Sequence, residues 1–239
     1  GYIESLMPLD FNLQKQLPNH VAFIMDGNRR WAKKKKLQII DGHKKGSEVV
    51  KNIVKKSLEL KIKYLTFFSF STENWNRSKN EIVNLQTLLG FYLESEEENF
   101  VDKEIKFSFI GDIGKFDEKI KIKLKQLQAL TKSFSKLHFI LALSYGSRSE
   151  IVDAIRKIKK KSEFINEHDI SKNLMTKSIP NPDLVIRTSG EMRLSNFLLW
   201  QIAYSELYFT KTPWPEFSTQ KYLNALKNYI NRKRRFGGD

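Results

Sequence analysis

The sequence predicts an α/β protein, a central and mostly parallel sheet of about six strands surrounded by helices. Three observations carry that prediction. Six short apolar runs recur along the 239 residues, and buried parallel strands read as such brief continuous runs rather than as clean alternations. Segments with apolar residues three and four apart lie between them, as helices covering a sheet require. No repeat, linker or change of composition divides the chain, so residues 1–239 are expected to form one domain, with an N-terminal segment at 1–19 and a basic tail at 232–239.

The first apolar run, Val21–Met25, stops at Asp26-Gly27-Asn28. Val50, Ile53, Val54 and Leu58 then mark a helix stripe. The run Tyr64–Phe70 ends in polar Ser71-Thr72-Glu73-Asn74, and a wider stripe follows at Ile82, Leu85, Leu88, Leu89, Tyr92 and Leu93. Ile105–Ile110 closes at Gly111-Asp112, before a stripe of Ile120, Leu124, Leu127 and Leu130. Leu137–Leu143 precedes Ile151, Ile155 and Ile158, and Leu184–Ile186 and Leu207–Phe209 are the last strand candidates. Phe197–Trp200 is short enough for core strand or helix, and Leu223, Leu226 and Ile230 end the pattern. In open parallel sheets ligands sit beyond the carboxyl ends of the strands, which directs the search for chemistry to the polar clusters after the first, second and fifth runs.

Composition narrows the chemistry. The chain has no cysteine and four histidines. Disulfides and thiolate metal sites are excluded, and any metal must take oxygen or imidazole ligands, which favours magnesium or calcium over zinc. No apolar run approaches the ~18 residues of a membrane span, and the mixed N-terminus does not read as a signal peptide. Lysine and arginine total 42 against 27 acidic residues, a net charge of +15. That charge suits nucleic acid, an anionic membrane or a phosphorylated substrate, and equally a chain that is simply lysine-rich. The nucleotide P-loop, the dinucleotide glycine fingerprint and the H-E-x-x-H zinc motif are all absent.

Three clusters remain. In His20-Val-Ala-Phe-Ile-Met-Asp26-Gly27-Asn28-Arg29-Arg30-Trp31, a strand ends at a carboxylate and a glycine turn opens a helix bearing two arginines. Helix N-terminal N–H groups and arginines bind phosphate. A carboxylate beside a diphosphate calls for a bridging cation, so Asp26 points to magnesium. On spacing alone, Asp26 as a plain N-cap competes with that reading. Phe70-Ser71-Thr72-Glu73-Asn74-Trp75-Asn76-Arg77 reads as a loop able to close over substrate, or as an ordinary capped turn. The third cluster runs Asp183-Leu-Val-Ile-Arg187-Thr188-Ser189-Gly190-Glu191-Met192-Arg193-Leu194-Ser195-Asn196-Phe197, and continues to Glu206, a lone carboxylate in an apolar stretch. Two arginines and two hydroxyls around a glycine suit two phosphates, and a partly buried Glu206 needs a metal, an arginine or the bland alternative of a surface turn.

Together and in this order, the three clusters resemble the signature regions of cis-prenyltransferases, with the bacterial undecaprenyl diphosphate synthases nearest in pattern, from about His20 to Gly238. The resemblance implies a hydrophobic tunnel beside the sheet, a homodimer, and sequential condensation of isopentenyl diphosphate onto farnesyl diphosphate with magnesium as cofactor. It implies catalytic roles for Asp26 and Asn74, the latter orienting groups rather than acting as base. Gly27, Asn28, Arg29, Arg30, Trp31 and His43 would form the allylic diphosphate site. Ser71, Glu73, Trp75 and Arg77 would position the reacting ends, and Arg187, Arg193 and Ser195 would hold isopentenyl diphosphate. Asp26 and Glu206 are the expected metal ligands, Glu206 from the partner subunit. Leu85, Leu88, Leu89 and Leu137 are candidate tunnel walls, though ordinary core explains them as well; Leu137 is placed at the far end, where truncation should lengthen products. The product would be undecaprenyl diphosphate or a shorter chain, made in the cytoplasm with peripheral contact at the inner face of the membrane.

The chain departs from the family at Ile39, where many bacterial members have an arginine supporting the allylic diphosphate; Arg29 or Lys33–Lys36 are candidate substitutes, lysine being the less geometric ligand. The absence of adjacent aspartates separates the chain from trans-type prenyl synthases. A non-catalytic accessory subunit would lack Asp26, Arg30, Arg187 and Arg193, all present here. Nucleic-acid binding rests on charge alone, with no recognised motif, and is not expected.

Overall fold

The computed structural model describes residues 11–158, 164–232 and 235–238. The basic run at 232–235 therefore falls partly outside the described residues. A short helix α1 (Phe11–Gln16) leads into β1 (His20–Ile24), followed by α2 (Asn28–Lys34), α3 (Ile39–Glu59) and β2 (Tyr64–Ser71). A 3-10 turn (Thr72–Asn76) joins β2 to α4 (Lys79–Asp102), then come β3 (Ile105–Ile110), α5 (Glu118–Leu130) and β4 (Leu137–Tyr145). Helices α6 (Ser147–Lys157) and α7 (Glu167–Ser171) precede β5 (Leu184–Arg187) and β6 (Glu206–Phe209), and α8 (Thr219–Ile230) follows a second 3-10 turn at Trp214–Glu216.

All six expected strands form, and they lie in one sheet in the order β3-β4-β2-β1-β5-β6 with every neighbouring pair parallel. The chain runs outward from β1 through β2 towards β3 and β4, then returns across the sheet to place β5 on the other side of β1. This reversal is a topological switch point, and the crevice it opens at the carboxyl ends of β1 and β5 is the expected ligand position. Alternation along the strands sends Val21, Phe23, Leu184 and Ile186 to one face and Ala22, Ile24 and Val185 to the other. The first face packs on α3, α4, α5 and α8, where Val50, Ile53 and Val54, Ile120, Leu124 and Leu127, and Leu223 and Leu226 are buried as their spacing predicts. Leu130 and Ile155 end up exposed at the margins of their helices.

One connection differs from the expected alternation. The crossover from β5 to β6 contains no helix; Phe197–Trp200 lies in turns and bends, neither strand nor helix. Ser195, Asn196 and Leu198 take positive φ values of 51°, 64° and 46°, a conformation that side chains oppose and that surrounding contacts must hold. Phe197 supplies one such contact, stacked on Phe68 at 4.6 Å between ring centroids.

Candidate active site

Asp26 lies two residues beyond β1 and is fixed through its backbone. Its N–H donates to Thr188 Oγ1 at 3.0 Å, and its carbonyl accepts from Thr188 Oγ1 at 2.7 Å and from the Trp214 N–H at 3.0 Å. Gly27 then turns the chain with φ 114°, a conformation suited to glycine, and a Cβ there would meet Ser189 Oγ at 2.8 Å and Pro213 Cβ at 2.9 Å. Helix α2 starts immediately, and α3 crosses so close to it that a Cβ on Gly42 would collide with the Asn28 carbonyl.

Because β1 and β5 pair with Ile24 opposite Arg187, the last residue of β5 arrives beside this turn. Arg187 is 5% exposed. Its Nη2 donates to Asp26 Oδ2 at 3.1 Å, and its Nη1 donates to Ser195 Oγ at 2.8 Å and to the Arg193 carbonyl. Those last two bonds explain the irregular crossover: the chain bends to wrap a buried guanidinium whose donors need acceptors. Arg30 Nη2 reaches the same Asp26 Oδ2 at 3.5 Å and donates to Ser189 Oγ at 2.8 Å. Glu191 joins the rim, accepting from Arg193 Nη1 at 2.6 Å and lying 3.4 Å from Arg30; the Arg193 hydrogen bond holds its carboxyl below the usual range.

A second charged group faces this one. Glu81, in the first turn of α4, lies 3.2 Å from Arg77 Nη1, 3.4 Å from Arg29 Nε and 3.8 Å from His43 Nε2. Asn28 Nδ2 is 3.3 Å from His43 Nδ1; with the amide donating, Nε2 carries the imidazole proton. Burial, reinforced by the neighbouring Arg77, lowers the His43 pKa to about 4, so the ring is neutral at neutral pH. Burial also lowers the Arg77 pKa, Arg29 adding to the effect and Glu81 opposing it.

These groups surround one end of a cavity of about 870 Å³, within the ~300–1,000 Å³ usual for small-molecule sites. Asp26, Gly27, Asn28, Arg29, Arg30, His43, Ser71, Glu73, Asn74, Arg77, Arg187 and Ser195 all line it. The cavity continues between the sheet and α4, where Leu85, Leu88, Leu89 and Tyr92 face Phe139, Leu141 and Leu143 of β4. Among the described residues, five buried side-chain polar atoms have no partner, and four of them belong to residues lining this cavity: Asn28 Oδ1, Arg29 Nε, His43 Nε2 and Arg187 Nε. Of the three donors, Arg29 Nε and His43 Nε2 lie 3.4 and 3.8 Å from the Glu81 carboxylate, while Arg187 Nε has no hydrogen-bond acceptor and suits an incoming oxyanion.

Several expected residues stand elsewhere. Trp31 and Trp75 do not line the cavity. The Trp31 indole donates to Glu216 at 3.3 Å. Trp75 packs at 4.7 Å on Phe70 and 5.0 Å on Phe116 and donates to Ser144 Oγ, so the ring anchors its turn. Asn74 does line the wall, but its Oδ1 accepts the Ser71 N–H at 2.9 Å. Arg193 is exposed on the rim beside Glu191. Glu206 and Asp26 are not brought together within the chain: Glu206 is level with Leu184 and hence Val21, roughly 16 Å along the strands from Asp26 at ~3.3 Å per residue. It pairs instead with Arg232 Nη1 at 3.5 Å. Leu137 is buried but not on the wall; the wall ends at Phe139, one step nearer on the same strand face. Sequence reasoning missed Glu81, Phe139 and Tyr92 as site residues, and read the Thr188 hydroxyl as a phosphate contact where the structure has it clasping the Asp26 backbone. The four-residue spacing from Arg77 was the available signal for Glu81, whereas nothing local marks Phe139 or Tyr92 as cavity wall.

Among the described residues no three histidine, aspartate or glutamate side chains converge as a metal cage. Asp26 alone still fits magnesium, which commonly takes one or two carboxylates and completes its shell with substrate phosphates and water. Both arginines meet the carboxylate through Oδ2, which leaves Oδ1 to accept another ligand. No helix among the described residues is long and apolar enough to cross a membrane.

An oxyanion-binding crevice at a sheet switch point, opening into an apolar cavity, defines an α/β protein for ligands with an anionic head and a hydrocarbon body. The comparisons with known proteins are specific about which kind. A family described as putative undecaprenyl diphosphate synthase matches residues 24–237. The isoprenyl transferase of Thermotoga maritima is 48% identical over 93% of this chain and 98% of its own, and that of Fusobacterium nucleatum is 46% identical over 95% and 98%. Among solved structures, lavandulyl diphosphate synthase from Lavandula x intermedia, in complex with dimethylallyl diphosphate, superposes with TM-score 0.90 at 38% identity over 93% of this chain and 99% of its own. A probable undecaprenyl diphosphate synthase from Campylobacter jejuni gives 0.79 at 33% identity, over 92% and 98%. The chain belongs to this family and is a cis-prenyltransferase.

Proposed function

We propose that the chain condenses isopentenyl diphosphate repeatedly onto farnesyl diphosphate, forming cis double bonds and yielding a long-chain polyprenyl diphosphate, undecaprenyl diphosphate for a cell-wall lipid carrier. The observation that carries this reading is the continuity of the cavity, from the arginine-lined crevice beside Asp26, where Arg187 Nε has no hydrogen-bond partner, to the apolar wall of α4 and β4. Each methylene moved from water into such a wall contributes ~0.8 kcal/mol, so a five-carbon unit contributes ~3 kcal/mol or more. The solved neighbour holding dimethylallyl diphosphate supports an allylic diphosphate as one substrate.

In the reaction the allylic carbon–oxygen bond breaks and its electron pair leaves with diphosphate. The isopentenyl alkene attacks the allylic carbon, and the adduct loses a proton to re-form an alkene. Asn28, Arg29, Arg30, His43 and Arg77 hold the allylic diphosphate, His43 as a neutral donor. Arg187, Ser195 and, from the rim, Arg193 hold isopentenyl diphosphate. Ser71 and Asn74 shape the turn where the reacting ends meet. Asp26 would hold magnesium there, which when bound neutralises charge on the leaving diphosphate; arginines aimed at the same oxygens add to that stabilisation. The diphosphate oxygens are the acceptors for the departing proton, since Asn74 is no base.

The chain acts as one catalytic domain in a homodimer, and Glu206 serves the partner's site rather than its own Asp26. Synthesis occurs in the cytoplasm, with peripheral contact at the membrane where the apolar product leaves. The test is the product ladder from farnesyl diphosphate and radiolabelled isopentenyl diphosphate, with and without magnesium. Magnesium-dependent products of undecaprenyl length are expected. A shorter ladder would retain the reaction class and overturn the assigned product; no condensation by folded dimer would overturn the activity.

A further inference from the structure

Glu81 is a buried charged residue of this region that the reaction above does not use. It does not line the main cavity; Arg29, His43 and Arg77 do, and Glu81 stands behind them. On its other side lies a second, open cavity of about 510 Å³, bordered by Ile39, Asn80, Asn84 and Glu81 itself. Arg29, His43 and Glu81 thus form a partition between the two cavities. Ile39 is apolar and His43 is neutral, so among the described residues Glu81 is the carboxylate paired with both Arg29 and Arg77, while Asp26 acts on Arg77 from farther away.

The partition has an electrostatic difficulty. Arg29 leaves α2 and Arg77 leaves the end of the 3-10 turn, and both arrive at one partly dehydrated place. Two like charges there repel, and each would relax by swinging into solvent. A carboxylate 3.4 Å from one guanidinium and 3.2 Å from the other removes that tendency. Glu81 is itself anchored, 8% exposed in the first turn of a helix whose Ser78 cap accepts the Glu81 N–H at 3.3 Å.

We propose that Glu81 is a positioning residue: its carboxylate draws Arg29 and Arg77 together from behind, so that the two guanidiniums present a formed cradle to a diphosphate from the front. Removing a negative charge near an anion site would ordinarily strengthen anion binding by relieving repulsion. Positioning predicts the opposite sign, and that opposition makes the inference testable. It rests on the reading of the main cavity as a diphosphate site.

The experiment titrates inorganic pyrophosphate calorimetrically into the full chain and its Glu81→Gln, Arg77→Gln and doubly substituted variants, with steady-state kinetics for the allylic diphosphate alongside. The expected result is pyrophosphate binding weakened at least tenfold in Glu81→Gln. The KM for the allylic diphosphate should rise in parallel, with kcat within about threefold. The double variant should lose less than the two single losses combined, because part of the Glu81 effect is exerted through Arg77. Unchanged or tighter binding in Glu81→Gln would overturn the proposal, as would losses that simply add in the double variant. Should Glu81→Gln fail to fold, Glu81→Asp decides: it keeps the charge but withdraws it by one methylene, and binding within error of wild type would overturn the proposal. Failure of the wild-type chain to bind pyrophosphate at all would instead overturn the diphosphate reading, a result distinct from each of the others.

Discussion

The two ends of the cavity are built in different ways. The polar end is assembled from segments far apart in sequence: the turn after β1, the turn after β2, and the end of β5 with its crossover. Hydrogen bonds and ion pairs hold it, as when Thr188 clasps Asp26 or Ser195 meets Arg187. The apolar end comes from two regular elements, α4 and β4, and side-chain packing holds it, Tyr92 facing Phe139 with ring centroids 6.4 Å apart. Directional contacts fail abruptly when one group is changed, whereas packing yields by volume. The polar end should therefore govern rate and affinity, and the apolar end product length.

The largest effect expected from this contrast is at Asp26. Asp26→Ala should lower kcat/KM by about 10³-fold, the order seen when an electrostatic stabiliser is removed from an active site, while the products that do form keep their length distribution. A loss under tenfold, or a shifted distribution, would break the separation of roles. Next comes the far wall. Phe139→Ala should lengthen products by at least one isoprene unit at a stability cost of ~3–5 kcal/mol, and Leu137→Ala, being behind that wall, should leave length unchanged. Chromatography of the radiolabelled products distinguishes these outcomes, and lengthening by Leu137→Ala alone would restore the position expected from the sequence.

The smallest effect is a pH dependence of stability. Burial lowers the pKa of His20, His43 and His138 to about 4 each, below the 6.5 of an exposed histidine. A depressed folded value means that the unfolded chain binds the extra protons, so the neutral rings contribute stability above pH 6.5 that is lost as pH falls towards 4. His43→Gln should remove one proton's share of that slope, at most about 1.4 kcal/mol per pH unit, as urea titrations across this window would measure. An unchanged slope would show that His43 is not held neutral in the folded chain.

Most of the fold was legible in the sequence because buried strands are written locally. All six runs became strands, with ends shifted by at most two residues. The site was legible where a motif carries its own geometry, as in Asp26-Gly27-Asn28, whose turn requires the glycine. It was not legible where a side chain's role depends on what arrives from elsewhere. Trp31 and Trp75 read as substrate contacts, yet their indole N–H groups donate to Glu216 and Ser144, partners that no local pattern identifies. The helix-free crossover was hidden for the same reason, since its shape answers to the Arg187 guanidinium rather than to its own periodicity. Glu206 reads as a metal ligand supplied by the partner subunit, and strand register places it at the opposite end of the sheet from Asp26 of its own chain.

The position of β5 has a consequence for the chain during its synthesis. Asp26 and Arg187 are 161 residues apart, and until Leu184–Arg187 has been made, β1 is an edge strand with an open row of N–H and C=O groups beside β2. A nascent chain can complete the β3-β4-β2-β1 part of the sheet and still lack both its switch-point crevice and the partner for that edge. Such exposed edges invite pairing with other chains, and contacts this distant in sequence form late. Arrival of β5 therefore does two things in one step: it seals the aggregation-prone side of the sheet and brings a guanidinium to the waiting aspartate.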